Sequence, residues 1–234
     1  MSFFVSLMLV GFATMALSLL ASQHVKSRFR RFSQIPGSSG FTGAEVAAEI
    51  LQRNGIHDVS VHEHQGFLGD HYDPVHKRLV LSPDVYHGTS LAALGVAAHE
   101  AGHAIQHKNA YLPLHVRMLA VGITTYANQF VTLIPMLGMG MGLAPRWAFA
   151  AMAVGWAVIM LFNLITLPVE FDASSRAKAM LTRLGFVRTE GEAAGVAAVL
   201  NAAALTYVAA FATSLAYFLV YLLPLLGGGR SSRD

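Results

Sequence analysis

The chain has 234 residues, 54% of them hydrophobic and 12% charged, with a formal net charge of +3 and a mean hydropathy of +0.50. That balance excludes an ordinary soluble domain and a disordered chain, and it indicates a membrane protein. The absence of cysteine rules out disulfides and thiolate ligands, so a bound metal must be held by nitrogen and oxygen.

Ser2 to Ser22 carries no charge and is long enough to cross about 30 Å of hydrocarbon. It lacks the basic start of a signal peptide. Lys26, Arg28, Arg30 and Arg31 follow it instead, the mark of an anchor with its N-terminus outside and its C-terminal end in the cytoplasm. The cluster suits lipid headgroups, at about 1 kcal/mol per charge. Without interleaved aromatic residues it does not indicate nucleic acid. Ser33 to Gly40 reads as a flexible linker. Thr42 and Glu45 form a capping box at the start of a helix that stops at Asn54-Gly55, with the glycine left-handed. Val59–Glu63 and Arg78–Leu81 read as strands, and Gly66–Tyr72 as a third, in a small antiparallel sheet. Thr89 and Ser90 are N-cap candidates for a helix rich in Ala and Leu running to His107.

Three more apolar runs follow. Met118–Leu143 is interrupted by Pro135 and the Gly138–Gly142 run, Trp147–Val169 is the next, and about 201–225 is the last. Gly138 and Gly142 are spaced for a helix–helix contact, which leaves room for an oligomer or partner membrane proteins. Four crossings divide the chain into an anchor (1–23), a cytoplasmic α+β domain (24–117), two transmembrane helices (118–169), a cytoplasmic helical segment (170–200), and a last helix with its tail (201–234). Thirteen Lys and Arg then fall in the cytoplasm and three (Arg146, Arg230, Arg233) outside. This asymmetry supports the orientation. The sequence pI near 9.3 reflects the same bias.

His99-Glu100-Ala101-Gly102-His103 carries the chemistry. On a helix, residues four apart share a face, so both imidazoles can bind one Zn²⁺ at about 2.0–2.1 Å. Glu100 points beside the metal, where a carboxylate can take a proton from an attacking water and pass it to a leaving amine. A catalytic zinc needs a third protein ligand and an open position. His107 is excluded, because eight helical residues span about 12 Å. The metzincin pattern fails too, since Gln106 and Asn109 occupy its glycine and histidine positions. Glu170 is the best candidate. It opens a polar stretch after an apolar run, with Pro168 just before it as at a helix start. It shares the cytoplasmic side with the two histidines.

Leu68-Gly69-Asp70-His71-Tyr72-Asp73-Pro74, then His99 to Gln106, two crossings, and Glu170-Phe171-Asp172-Ala173-Ser174-Ser175-Arg176 appear in that order. With the N-terminal anchor, this pattern resembles the YugP-type neutral zinc metallopeptidases of bacterial membranes, over nearly the whole chain. The resemblance implies a small gluzincin-like peptidase unit with one zinc per chain, ligands His99, His103 and Glu170, and general base Glu100. More distantly similar membrane proteases read Glu-x-x-x-Asp, the Asp supporting a zinc-binding histidine. Here that position is Ser174, so the support falls to Ser174, Asp172 or a water. By the same resemblance, Gly66–Tyr72 is the edge strand that holds an extended substrate. Candidate oxyanion or substrate contacts are His71, Tyr72 and Arg176; Arg176 serves equally well as a topology charge.

These readings predict a mainly α membrane protein that acts as a zinc endopeptidase on membrane or membrane-associated proteins at the cytoplasmic face of the bacterial inner membrane. A site-2-type protease is disfavoured, because polar residues flank the motif helix on both sides. A non-catalytic zinc-containing scaffold or chaperone has no use for Glu100. A zinc transporter needs charged residues or histidines in its crossings, and these have almost none.

Overall fold

A computed structural model describes residues 2–64, 69–141 and 145–227. The first part of the Gly66–Tyr72 strand, Gly142 and the tail Arg230–Asp234 lie outside them. Among the described residues the chain is mainly helical. The elements are α1 (Phe3–Phe32), α2 (Gly43–Arg53), β1 (Ser60–Glu63), β2 (His71–Asp73), β3 (Arg78–Leu81), α3 (Pro83–Tyr86), α4 (Leu91–Lys108), α5 (Leu112–Met141), α6 (Pro145–Arg183) and α7 (Glu190–Gly227). Over these residues they form two units. One comprises Met1–Leu20, Val116–Leu167 and Tyr207–Asp234; the other comprises Ala21–His115 and Pro168–Thr206.

Among the described residues three helices are long and apolar enough to cross a membrane: Phe3–Phe32, Arg146–Arg183 and Glu190–Leu226. The run expected over Met118–Leu143 falls on α5, which is not among these three; its residues 142 and 143 lie outside the described ones. The first unit leaves Phe4, Phe12, Leu20, Leu119 and Ile123 exposed, as a chain solvated by lipid does. Its helices are joined by aromatic and polar contacts. The Trp156 and Tyr217 rings stack at 4.4 Å. Asn163 Nδ2 donates to the Ala210 carbonyl at 3.2 Å and to Ser214 Oγ at 3.1 Å, so amide and hydroxyl dipoles are satisfied within the bundle.

The second unit holds the main apolar core, centred on Val46, Ile50, Leu79, Leu81, Leu94, Ala97 and Leu181. Local signals set its helices. Thr42 Oγ1 accepts from Glu45 N while the Glu45 carboxylate accepts from Thr42 N at 2.8 Å, completing the capping box. Gly55 ends α2 with φ +65°. Ser90 caps α4, its Oγ accepting from Ala93 N at 3.2 Å.

Three expectations change here. The sheet is mixed rather than antiparallel. Its order is β1-β3-β2, with β1 parallel and β2 antiparallel to β3. β3 takes the centre because Leu79, Val80 and Leu81 are all buried, whereas the polar β1 and β2 suit edges. A short turn makes β2 antiparallel to β3, and the chain reverses once more between β1 and β2, so β1 runs parallel to β3. The linker is docked rather than free. Gly37 N donates to Thr89 O, Leu91 N to Ile35 O, and Ser38 N to Glu192 Oε1 at 2.6 Å. Finally, Pro168 does not start a helix. It lies inside the 39-residue α6, which carries an apolar run directly into the polar stretch containing Glu170.

Candidate metal centre

The centre lies between α4 and α6, which pass each other closely and antiparallel. Partner numbers on α6 fall as those on α4 rise: His99 meets Ser174, His103 meets Glu170, and Gln106 meets Val169. The close approach depends on Gly102. A Cβ placed there would meet the Ala173 carbonyl oxygen at 2.8 Å, closer than real Cβ atoms come to such a neighbour. The glycine inside the motif therefore sets how near Glu170 can come.

At that distance the three expected ligands converge. Glu170 Oε2 lies 3.3 Å from His99 Nε2 and 3.8 Å from His103 Nε2, and one ligand atom from each residue lies within 4.8 Å of the others. Ligands about 2.0–2.1 Å from a tetrahedral centre stand roughly 3.4 Å apart, so the spacing suits one ion. His103 and Glu170 are buried. Two imidazoles and a carboxylate form a nitrogen–oxygen set suited to zinc. These residues fit the metal.

The outer contacts fit as well. Ser174 Oγ lies 3.1 Å from His99 Nδ1, at the position where the related pattern has aspartate; its hydroxyl can accept from Nδ1–H, which leaves Nε2 for the ion. His103 Nδ1 lies 3.0 Å from Gln106 Oε1. Gln106 Nε2 donates to Val169 O and to Asp172 Oδ2, both at 2.8 Å. Asp172 also accepts from Arg176 Nε at 2.6 Å, and the Arg176 guanidinium sits 6.0 Å from the Tyr111 ring centroid. Gln106 is the residue that sequence reasoning passed over. Its signal was present, since it follows His103 by three positions and so shares its helix face.

Glu100 is buried on α4 beside this set. Desolvation raises its carboxyl to about 7; the neighbouring Glu170 and Asp70 charges push the same way, against His99 and the Tyr72 backbone. Asp70 is itself held by Ser82, whose N and Oγ donate to its Oδ1 at 2.7 and 3.0 Å. The remaining candidates separate. Tyr72, on the edge strand β2, hydrogen-bonds through its hydroxyl to His107 Nδ1 at 2.8 Å, one turn beyond His103, and burial pushes its phenol up to about 12. Arg176 directs Nε to Asp172. His71 Nδ1 contacts Gly69 O at 3.0 Å on the same edge strand.

Comparison with known proteins agrees with this chemistry. A family model described as "Putative neutral zinc metallopeptidase" matches residues 7–226, and the chain belongs to that family. The Bacillus subtilis (strain 168) protein named "Putative membrane protease YugP" is 44% identical over 216 residues, which cover 92% of this chain and 95% of that protein. No solved structure matches the chain.

Proposed function

We propose that this protein is a membrane-embedded zinc endopeptidase of gluzincin type, with one zinc per chain, that hydrolyses peptide bonds of membrane or membrane-associated proteins at the cytoplasmic face of a bacterial cell membrane. The observation that carries this reading is the convergence of His99, His103 and Glu170 beside a buried carboxylate outside that set, Glu100. A structural site has no need of that fourth group. When bound, zinc supplies Lewis acidity to the attacking water and the scissile carbonyl.

The chain's own residues do the rest. Glu100 accepts the water's proton and delivers it to the leaving nitrogen. The outer edge of β2 offers backbone groups to an extended substrate segment without reading its side chains. His71 on that edge is the remaining candidate for a substrate contact, because Tyr72 and Arg176 direct polar atoms to His107 and Asp172. Ser174 orients His99.

Chain order supports four crossings. The motif helix and Glu170 share one site, so the chain returns to the same side after α5 and α6. If α6 crosses once, α5 must cross too. The thirteen-to-three distribution of basic residues supports the cytoplasm as that side.

The deciding experiment pairs zinc content with cleavage of an unfolded membrane-protein substrate. Glu100→Gln keeps size and polarity but cannot accept the proton. It should retain zinc and cleave about 10²-fold more slowly or worse. A wild-type rate would remove the enzyme reading and leave a non-catalytic zinc scaffold.

A further inference from the structure

Gln106 is fully buried, an unusual place for a long polar side chain. Packing α4 against α6 does not require it, since an apolar residue of similar volume would fill the space at less desolvation cost. Yet the whole carboxamide is used. Both Nε2 hydrogens have acceptors, Val169 O and Asp172 Oδ2 at 2.8 Å each. This leaves only the carbonyl oxygen to face His103 Nδ1, at 3.0 Å. An amide rotated by 180° would set its oxygen against a carbonyl and a carboxylate, so the network allows one orientation. An oxygen facing Nδ1 can only accept. His103 therefore carries its proton on Nδ1 and presents the Nε2 lone pair toward Glu170. Asp172 is held in turn by Arg176 Nε at 2.6 Å.

We propose that Gln106 is a positioning residue of the metal centre. Clamped by Val169 and by the Asp172–Arg176 pair of α6, its carboxamide fixes the tautomer and ring orientation in which His103 serves as a ligand. This rests on the metal-site reading above and extends it to a residue outside the motif. It also gives Arg176 a role: it acts through Asp172 and Gln106 rather than on substrate. The two ligand histidines are thus supported differently, His99 by the Ser174 hydroxyl and His103 by a three-residue relay. Ser174 belongs to α6, and the relay through Gln106 of α4 is anchored on that same helix, which supplies the third ligand. Helix α6 therefore orients the histidines of α4 while it closes the site, and a fully satisfied polar network of this kind rigidifies what it holds.

The test uses the full-length protein in detergent. Zinc affinity is measured by chelator competition, the visible spectrum of the Co²⁺-substituted protein reports ligand geometry, and apo-protein thermal stability reports folding. Gln106→Met, apolar and similar in volume, should weaken zinc binding about 10- to 100-fold, the usual scale for losing an outer-shell partner, and should alter the Co²⁺ spectrum. Arg176→Met lies further from the ligand on a partly exposed side chain. It should weaken zinc binding less but in the same direction, and it decides the matter if Gln106→Met fails to fold. Wild-type affinity and an unchanged spectrum in the folded variants would overturn the proposal. So would a fall in apo stability alone, which is the signature of a purely structural residue. Failure of the wild type to bind zinc at all is a separate result that removes the metal reading itself.

Discussion

Gly102 on α4 and Ala173 on α6 approach so closely that a Cβ at position 102 would stand 2.8 Å from the Ala173 carbonyl oxygen. That contact sets the depth at which Glu170 reaches the motif histidines. Gly102→Ala tests it. Helix propensity alone predicts a gain of up to about 1 kcal/mol. The obstacle is a helix backbone that cannot rotate away, so overpacking at about 1–3 kcal/mol should win. Lower thermal stability and weaker zinc binding are expected together. A more stable variant with normal zinc uptake would show that the helices have room to spare.

Glu170 is the proposed ligand that the motif does not contain. Glu170→Ala should lose most bound zinc, because two imidazoles alone leave the ion too few protein ligands. His99→Ala should lose zinc as well, whereas Glu100→Gln keeps it. Metal analysis of the three purified variants separates the proposed ligands from the proposed general base. Full occupancy in Glu170→Ala would send the third ligand elsewhere.

Glu192 ties the docked linker to the start of α7. Its carboxylate accepts from Ser38 N at 2.6 Å, Arg188 N at 2.8 Å and Thr189 N at 3.1 Å. Chiefly the Arg188 backbone bond, followed by Ser38, lowers its pKa from about 4.5 to about 2. The folded value lies below the unfolded one, so the stabilisation is complete above about pH 4.5 and is lost as the pH falls toward 2. Glu192→Gln should cost about 1 kcal/mol near neutrality, the usual worth of a helix cap, since solvent screens an exposed carboxylate. The gap from wild type should shrink in acid. Thermal unfolding at pH 6 and pH 3 measures it; a gap independent of pH would remove the carboxylate's role.

The proposed four crossings would put the C-terminal end of α7 outside the cytoplasm. A periplasmic-active reporter fused after Asp234 should be active, and a cytoplasm-dependent one should not. A cytoplasmic C-terminus would overturn the four-crossing arrangement or make one apolar run re-entrant.

What could be read along the chain rests on short-range rules. Uncharged runs and the placement of sixteen basic residues are matters of composition within a window, and they carried the membrane character. The four-residue spacing of His99 and His103 is a property of any helix. The Thr42–Glu45 box and Gly55 are contacts within one turn, and the structure reproduces them.

Tertiary structure decided what depends on partners distant in sequence. Pro168 looks like a helix start, but α6 runs through it, continuing an apolar helix into the half-turn that delivers Glu170. The Ser/Gly/Pro composition of residues 33–40 suggests a free linker, yet Thr89, Leu91 and Glu192 supply bonds that hold it. Strand alternation cannot say which strand is central; the burial of Leu79, Val80 and Leu81 against the core made it β3. Gln106 belongs by spacing to the face of His103, but its task appears only when Val169 and Asp172, more than sixty residues later, fix the direction of its amide. Helical periodicity tells which side chains share a face. Only the packing of α4 against α6 tells what that face meets.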